Sequence, residues 1–215
     1  MSIKRNVLML QADNISIRFG DECVLDHFSC RIEKGEFACI TGMSGCGKTS
    51  LLKAFLGLAP LSEGAIRVGE YVLGEQTCSA IRKQVAYLPQ DLALPYDTVH
   101  EVVSHVLRLR GMRYNHTERL HLCKNMVQLG LDEDLLDKRL VEISGGQRQR
   151  LILAALALLD REVWLLDEPT AALDGDSRDY VIAFLLEQRR RGKTIVAVSH
   201  DQGFAAQCSV VIQLC

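Results

Sequence analysis

One stretch in the first quarter of the chain constrains it more than any other. Residues 42–49 read GMSGCGKT and fit the pattern G-x-x-x-x-G-K-[ST] at every fixed position. Residues 37–40 before it form an apolar run typical of a buried strand, and apolar residues recur at helical spacing after it. A glycine-rich loop between a strand and a helix is the context in which this pattern binds phosphate. The sequence therefore predicts a nucleoside triphosphate site; the competing interpretation is an ordinary glycine-rich turn.

The chemistry of this phosphate loop, residues 42–49, follows from its residue types. Glycines let backbone N–H groups approach a phosphate closely, and the start of the following helix adds a partial positive charge. We expect Lys48 to reach the β- and γ-phosphates and Thr49 to hold Mg²⁺ through its hydroxyl. The other residues predicted to bind ATP here are Gly42, Met43, Ser44, Gly45, Cys46, Gly47 and Ser50.

Length and composition exclude several classes of protein. The 215 residues suit one domain, or one domain with an inserted subdomain. The net charge of −2 provides no overall positive field for nucleic acid. The longest apolar run, residues 151–159, is too short to span a membrane, and residues 7–10 are too short for a signal-peptide core. We therefore expect a cytoplasmic chain without a membrane span.

The cysteines and the chain end add two expectations. The eight cysteines form no C-x-x-C pair, and several lie in apolar stretches, so reduced and mostly buried thiols are favoured over disulfides or metal ligands. The sequence ends at Cys215, directly after a last apolar stretch at 210–214. We therefore expect no C-terminal regulatory domain.

Hydrophobic patterning divides the chain into two kinds of region. Alternation predicts antiparallel strands at 8–19 and 28–37 and a short hairpin around Gly69. Apolar spacing from about 91 to 159 predicts a mainly helical insertion. We thus expect a nucleotide-binding region that contains strands over about 1–90 and 160–215, and a helical insertion over about 91–159. Further predicted elements are strands at 85–88, 163–166, 194–198 and 210–214 and a helix at 177–191.

Polar residues follow three of the predicted buried strands. Gln90 follows the strand at 85–88, the pair Asp167 and Glu168 follows 163–166, and His200 follows 194–198. Strand ends line the ligand site in such sheets. Asp167 can hold Mg²⁺, and Glu168 can orient and deprotonate an attacking water. His200 can reach the γ-phosphate, although a single histidine more often has a structural role.

A second helix start carries two glycines. Ser144 is a good N-cap residue, and Gly145 and Gly146 follow in the first turn, where glycine costs helix stability. That cost is understandable if the backbone there must approach a ligand. Because a helix N-terminus binds anions, the sequence predicts a second phosphate-binding helix start.

These motifs, in this order, resemble the nucleotide-binding subunit of ATP-binding cassette (ABC) transporters. Ser144, Gly145, Gly146 and Gln147 match the signature motif S-G-G-Q of that family. The resemblance implies an α/β fold, with a P-loop NTPase core of RecA-like type, an antiparallel β subdomain and an inserted helical subdomain. It also implies a head-to-tail homodimer or paired cassette, in which each ATP lies between the phosphate loop of one chain and the signature motif of the other.

The resemblance also assigns roles to single residues. Phe19 matches the aromatic that stacks on adenine, Gln90 the Q-loop, Asp174 the D-loop and His200 the H-loop. The implied catalytic residues are Lys48, Gln90, Glu168 and His200, and the implied Mg²⁺ ligands are Thr49, Gln90 and Asp167.

The function implied is an ATPase that powers a transmembrane permease subunit from the cytoplasmic face of the membrane. An ABC ATPase that regulates a membrane-bound complex without transport is the main alternative. A nucleic-acid-linked ABC protein is disfavoured because such proteins typically have two cassettes or long insertions. A P-loop kinase would leave the signature motif unexplained.

Overall fold

The computed structural model describes residues 7–92, 95–171 and 173–214; Cys215 lies outside these ranges. The strands are β1 Leu8–Phe19, β2 Glu22–Glu33, β3 Phe37–Gly42, β4 Glu63–Val68, β5 Tyr71–Val72, β6 Val85–Leu88, β7 Val163–Asp167, β8 Thr194–Val198 and β9 Val210–Leu214. The helices are α1 Lys48–Phe55, α2 Cys78–Gln84, α3 Val99–Arg108, α4 His116–Gln128, α5 Gly145–Ala157, α6 Gly175–Arg190 and α7 Gln202–Ala205.

A parallel sheet of five strands forms the centre of the fold, in the order β6-β7-β8-β3-β9. The strands β7 and β8 are buried along their whole length, which explains why both read as continuous apolar runs in the sequence. Trp164 and Phe184 are among the largest fully buried side chains, and they pack with their ring centroids 6.3 Å apart. The predicted strands at 85–88, 163–166, 194–198 and 210–214 are all present.

An antiparallel sheet in the order β2-β1-β4-β5 packs beside the parallel sheet. The predicted strand at 28–37 is wrong in its bounds: β2 runs from Glu22 to Glu33, and Phe37 already belongs to the parallel sheet. The reason is a turn at Gly35, whose φ is 80°, closed by a hydrogen bond from the Glu36 N–H to the Glu33 carbonyl. The predicted hairpin around Gly69 is formed by β4 and β5.

The region between β6 and β7 is helical, as predicted. It contains α3, α4 and α5 with two short 3₁₀ segments, and its apolar side chains join one core cluster with the face of the parallel sheet. Thr98 and Glu101 form a reciprocal capping box that fixes the start of α3. Helix α2 was not predicted from the sequence. Within the described ranges, no helix is both long and apolar enough to cross a bilayer.

Candidate active site

The predicted site residues meet at one edge of the parallel sheet. The phosphate loop follows β3, Gln90 follows β6, Glu168 follows β7 and His200 follows β8, and the carboxyl ends of parallel strands share one edge. A cavity of about 340 Å³ opens there. Its lining residues are Val24, Ser44, Gly45, Gly47, Lys48, Thr49, Ser50, Gln90, Asp167, Glu168, Val198 and His200.

The phosphate loop closes around the Lys48 ammonium group. Lys48 Nζ donates to the carbonyl oxygens of Gly42 at 2.9 Å and Met43 at 2.6 Å, and the residue is 6% exposed. The turn requires glycine at position 42, where φ is 151° and a Cβ would lie 2.2 Å from the Leu214 carbonyl oxygen. The loop thus holds a buried positive charge at the mouth of the cavity.

Asp167 is a buried carboxylate without a hydrogen-bonded partner among the described residues. It is 1% exposed, and both of its oxygens lack a hydrogen bond. Burial raises the pKa of Asp167, while the nearby Thr49 hydroxyl and the positive charges of Lys53 and Lys48 partly offset that rise. Across the sheet, burial and the Asp167 charge raise the pKa of Tyr87 to about 12. The two buried Asp167 oxygens are therefore available to a cation, since no described residue donates a hydrogen bond to them.

Glu168, the residue after Asp167, has an unusual backbone conformation. Its φ is 50°, in the left-handed region that side chains other than glycine rarely adopt. Burial raises the pKa of Glu168, and His200, whose Nε2 lies 3.3 Å from Oε1, counteracts that rise. A carboxylate with a raised pKa that faces a cavity has the properties of a general base.

The structure keeps some predicted residues away from this cavity. Ser144 and Gly145 are exposed at the start of α5, and none of Ser144, Gly145, Gly146 and Gln147 lines the cavity of the same chain. Phe19, at the end of β1, is 48% exposed and is not a lining residue. Its stacking on adenine stays a prediction.

Three further predicted residues have local roles. Asp174 caps α6 by accepting a hydrogen bond from the Ser177 N–H at 2.8 Å, and hydrogen bonds to Ser177 lower its pKa. Met43 is 72% exposed on the outer side of the phosphate loop. The Cys46 thiol lies 3.4 Å from the Leu214 carbonyl oxygen and 3.9 Å from Lys48 Nζ, behind the loop.

Two residues near the site were not predicted from the sequence. Val24, on β2, contributes to the cavity lining and approaches Gly47. Gln149, on α5, donates a 2.9 Å hydrogen bond from Nε2 to the backbone carbonyl of Glu168. Neither has a sequence signal, because both contacts depend on how separate elements pack.

The fold and the site together define a P-loop nucleoside triphosphatase. The profile of the ABC transporter family matches residues 25–171, which is more than half of the chain. The chain therefore belongs to the ABC transporter family. This confirms the resemblance predicted from the phosphate loop and the signature motif.

Individual relatives agree with this assignment. The zinc transport system ATP-binding protein TroB of Treponema pallidum (strain Nichols) is 31% identical over 93% of the chain and 75% of its own length. The linearmycin resistance ATP-binding protein LnrL of Bacillus subtilis (strain 168) is 30% identical over 89% of the chain. The chain spans 61% of the length of LnrL.

Solved structures agree as well. The dimeric post-hydrolysis state of the ATP-binding cassette MJ0796, bound to ADP and phosphate, has a TM-score of 0.85 at 26% identity and covers 96% of this chain and 94% of that one. The family match and this structure confirm the predicted class of enzyme, an ABC-type ATPase, and the predicted α/β fold.

Proposed function

We propose that this chain binds and hydrolyses ATP as one half of a head-to-tail dimer, and that the dimer powers a membrane transporter. The observation that carries the proposal is the separation of two phosphate-binding helix starts. Lys48 and Glu168 line one cavity, whereas Ser144 is exposed away from it. A second chain can bring its signature motif to that cavity, as the dimeric relative makes plausible.

The charges of the site support the proposed hydrolysis. Lys48 exchanges its two loop carbonyls for the β- and γ-phosphates, and the start of α1 adds N–H groups and partial positive charge. Glu168 orients the attacking water and accepts its proton, while His200 lies beside it. Positioning and charge neutralisation supply most of the catalysis in phosphoryl transfer.

Mg²⁺ fits the oxygen donors of this site. The two Asp167 oxygens without hydrogen bonds, the Thr49 hydroxyl and the Gln90 side-chain oxygen are the hard ligands that this ion prefers. We propose that these three residues hold it. When bound, Mg²⁺ would neutralise charge on the phosphates.

The test of the catalytic assignment is Glu168→Gln. We expect ATP binding to persist while kcat falls about 10²–10⁴-fold, which is the usual contribution of a positioned base. In sedimentation, the variant should accumulate as an ATP-bound dimer. Hydrolysis near the parental rate would contradict the role of Glu168.

Mixing two inactive variants tests the composite site. Lys48→Ala damages only the phosphate loop, and Ser144→Arg damages only the signature motif. A mixed dimer has one intact interface, so we expect part of the activity to return. If no activity returns and Glu168→Gln also stays monomeric at saturating ATP, the head-to-tail arrangement is wrong.

The transport role is proposed from the relatives, two of which carry the names of a zinc transport system and of linearmycin resistance. We propose a transmembrane permease as the partner, with the chain on the cytoplasmic face of the membrane. Purification of the chain with its companions from native membranes is the test. A companion with several membrane spans supports transport, and a complex without one favours a regulatory ABC ATPase.

A further inference from the structure

The backbone of Glu168 adopts an unfavourable conformation, and three hydrogen bonds hold its N–H and its carbonyl. Its φ of 50° lies in the left-handed region, and it precedes Pro169, a neighbour that further restricts the backbone of the preceding residue. The Glu168 N–H donates to the Val198 carbonyl on β8 at 3.0 Å. The Glu168 carbonyl accepts from Gln149 Nε2 at 2.9 Å and from the Ala171 N–H at 3.3 Å, so Gln149 is its side-chain donor and the shorter of the two contacts. Both polar groups of this residue's backbone are therefore fixed.

The Gln149 side chain is suited to this contact. It is 6% exposed, so little water competes for the hydrogen bond. A backbone carbonyl only accepts hydrogen bonds, and this requirement sets the orientation of the Gln149 amide. The side chain bridges α5, the helix that begins at the signature motif, and the end of β7.

Arg150, the next residue of α5, connects this helix to the end of α4. Arg150 is 9% exposed, and its Nη1 donates to the carbonyls of Leu129 at 2.7 Å and Gly130 at 3.1 Å, at the end of α4. Gln149 and Arg150 are consecutive residues of α5, and together they connect the end of α4 to Glu168, which follows β7. The first turns of α5 are fixed relative to that strand.

We propose that Gln149 is a positioning residue for Glu168: its amide holds the Glu168 peptide in the left-handed conformation that directs the carboxylate toward His200 and the cavity. This inference rests on the proposed role of Glu168 as the base. Gln149 does not line the cavity, and it acts only through the placement of that carboxylate. It also links the first turns of α5 to the base within one chain.

Gln149→Met tests the proposal on the purified full chain, because methionine has similar length and volume but no donor. We expect kcat to fall about 10–100-fold, the range produced by a small misplacement of a catalytic group. The KM for ATP and the equilibrium affinity for ATP should stay within about twofold, because the phosphate loop is unaffected. An unchanged kcat overturns the proposal.

A double-mutant cycle separates positioning from a general structural role. In the Glu168→Gln background, Gln149→Met should lower the residual single-turnover rate less than twofold, since no carboxylate remains to be positioned. An equal loss in both backgrounds overturns the proposal. This outcome is distinct from failure of the proposed function, which shows as near-parental hydrolysis in Glu168→Gln alone.

Asn125→Leu is the matched control. The Asn125 amide also donates to a backbone carbonyl, that of Ala154 at 3.0 Å, but it does so on the far side of α5 from the site. We expect kcat within about twofold of the parent. A loss as large as that of Gln149→Met would mean that any disturbance of α5 is sufficient, and would overturn the proposal.

Gln149→Glu provides a second variant that does not depend on how well methionine packs. A deprotonated carboxylate repels the Glu168 carbonyl, whereas a protonated carboxyl donates to it. The ratio of variant to parental kcat should therefore rise as pH falls. A ratio that stays constant with pH, at a kcat equal to that of the parent, overturns the proposal.

Discussion

Helices α1 and α5 both begin at glycine-rich segments, yet the structure completes the two N-termini in opposite ways. At α1, Gly47 precedes the first turn with φ 93°, and no side chain among the described residues caps it. At α5, the Gln147 N–H donates to Ser144 Oγ at 3.1 Å, and the Ser144 N–H donates to Gln147 Oε1 at 2.9 Å. The first N–H groups of α1 are therefore open to an anion, whereas α5 is capped by its own residues.

Burial follows the same division. Lys48, the first residue of α1, is 6% exposed and faces the cavity, whereas Ser144 and Gly145 are exposed. Two similar sequence signals therefore lead to two different local structures. One is a pocket built inside the chain, and the other is a preformed surface that can be offered to a second chain.

Glycine-to-alanine substitutions at the two segments should have opposite effects on stability, and the larger effect is expected at Gly42. Gly42→Ala places a Cβ 2.2 Å from the Leu214 carbonyl oxygen at a φ of 151°, so the free energy of unfolding should fall by about 3 kcal/mol or more. At Gly145 an added Cβ would have no atom within 4 Å, and alanine favours a helix. Gly145→Ala should therefore raise the free energy of unfolding by about 0.5 kcal/mol. Urea denaturation measures both. If both substitutions change the free energy of unfolding in the same direction, the two glycine-rich segments do not differ in the way described.

Lys48→Ala should weaken ATP binding by about 10–100-fold, because charge-assisted hydrogen bonds contribute about 1.5–3 kcal/mol. Equilibrium titration of the monomeric chain with a fluorescent ATP analogue measures the loss. Ser144→Ala is the control, since Ser144 does not line the cavity. An unchanged affinity in Lys48→Ala would refute the phosphate-loop assignment.

Ser144→Ala should have its effect on stability. It removes one half of the capping box at the start of α5, which typically costs about 1 kcal/mol. Thermal or urea denaturation of the nucleotide-free chain provides the measurement. Ser144→Asp keeps an acceptor at the N-cap and should retain most of the stability; a loss as large as that of alanine would argue against the capping role.

Asp167 allows a smaller, pH-dependent test of the cavity. Because burial raises its pKa in the folded state, the native protein binds more protons than the unfolded chain between the two pKa values. The free energy of unfolding therefore falls as pH rises through that interval. Asp167→Asn should remove this fall and stabilise the nucleotide-free chain at neutral pH by about 1 kcal/mol.

The exposed Asp21→Asn serves as the control in the same denaturation series. We expect its stability to follow that of the parent across pH. If Asp167→Asn is less stable than the parent at neutral pH, the Asp167 carboxylate is not the unfavourable buried charge described here.

Several strands and most residues of the cavity could be predicted from local sequence patterns. The presence of strands β3, β6, β7, β8 and β9 was predictable, because each contains a short run of apolar residues. Since parallel strands share their carboxyl edge, the clustering of Lys48, Asp167, Glu168 and His200 followed from that pattern. Local chemistry was sufficient there, as it also was for the cap formed by Ser144.

Other features of the protein follow from the packing of separate elements. The pairing of Phe37 with Ile195 on β8 placed Phe37 in the parallel sheet, the burial of Asp167 raised its pKa, and Gln149 met the Glu168 carbonyl. Each depends on residues far apart in the sequence that packing brings together. The spacing of apolar residues along the chain predicts which face of an element is buried, but not which other element that face contacts. Burial and hydrogen bonding depend on that contact.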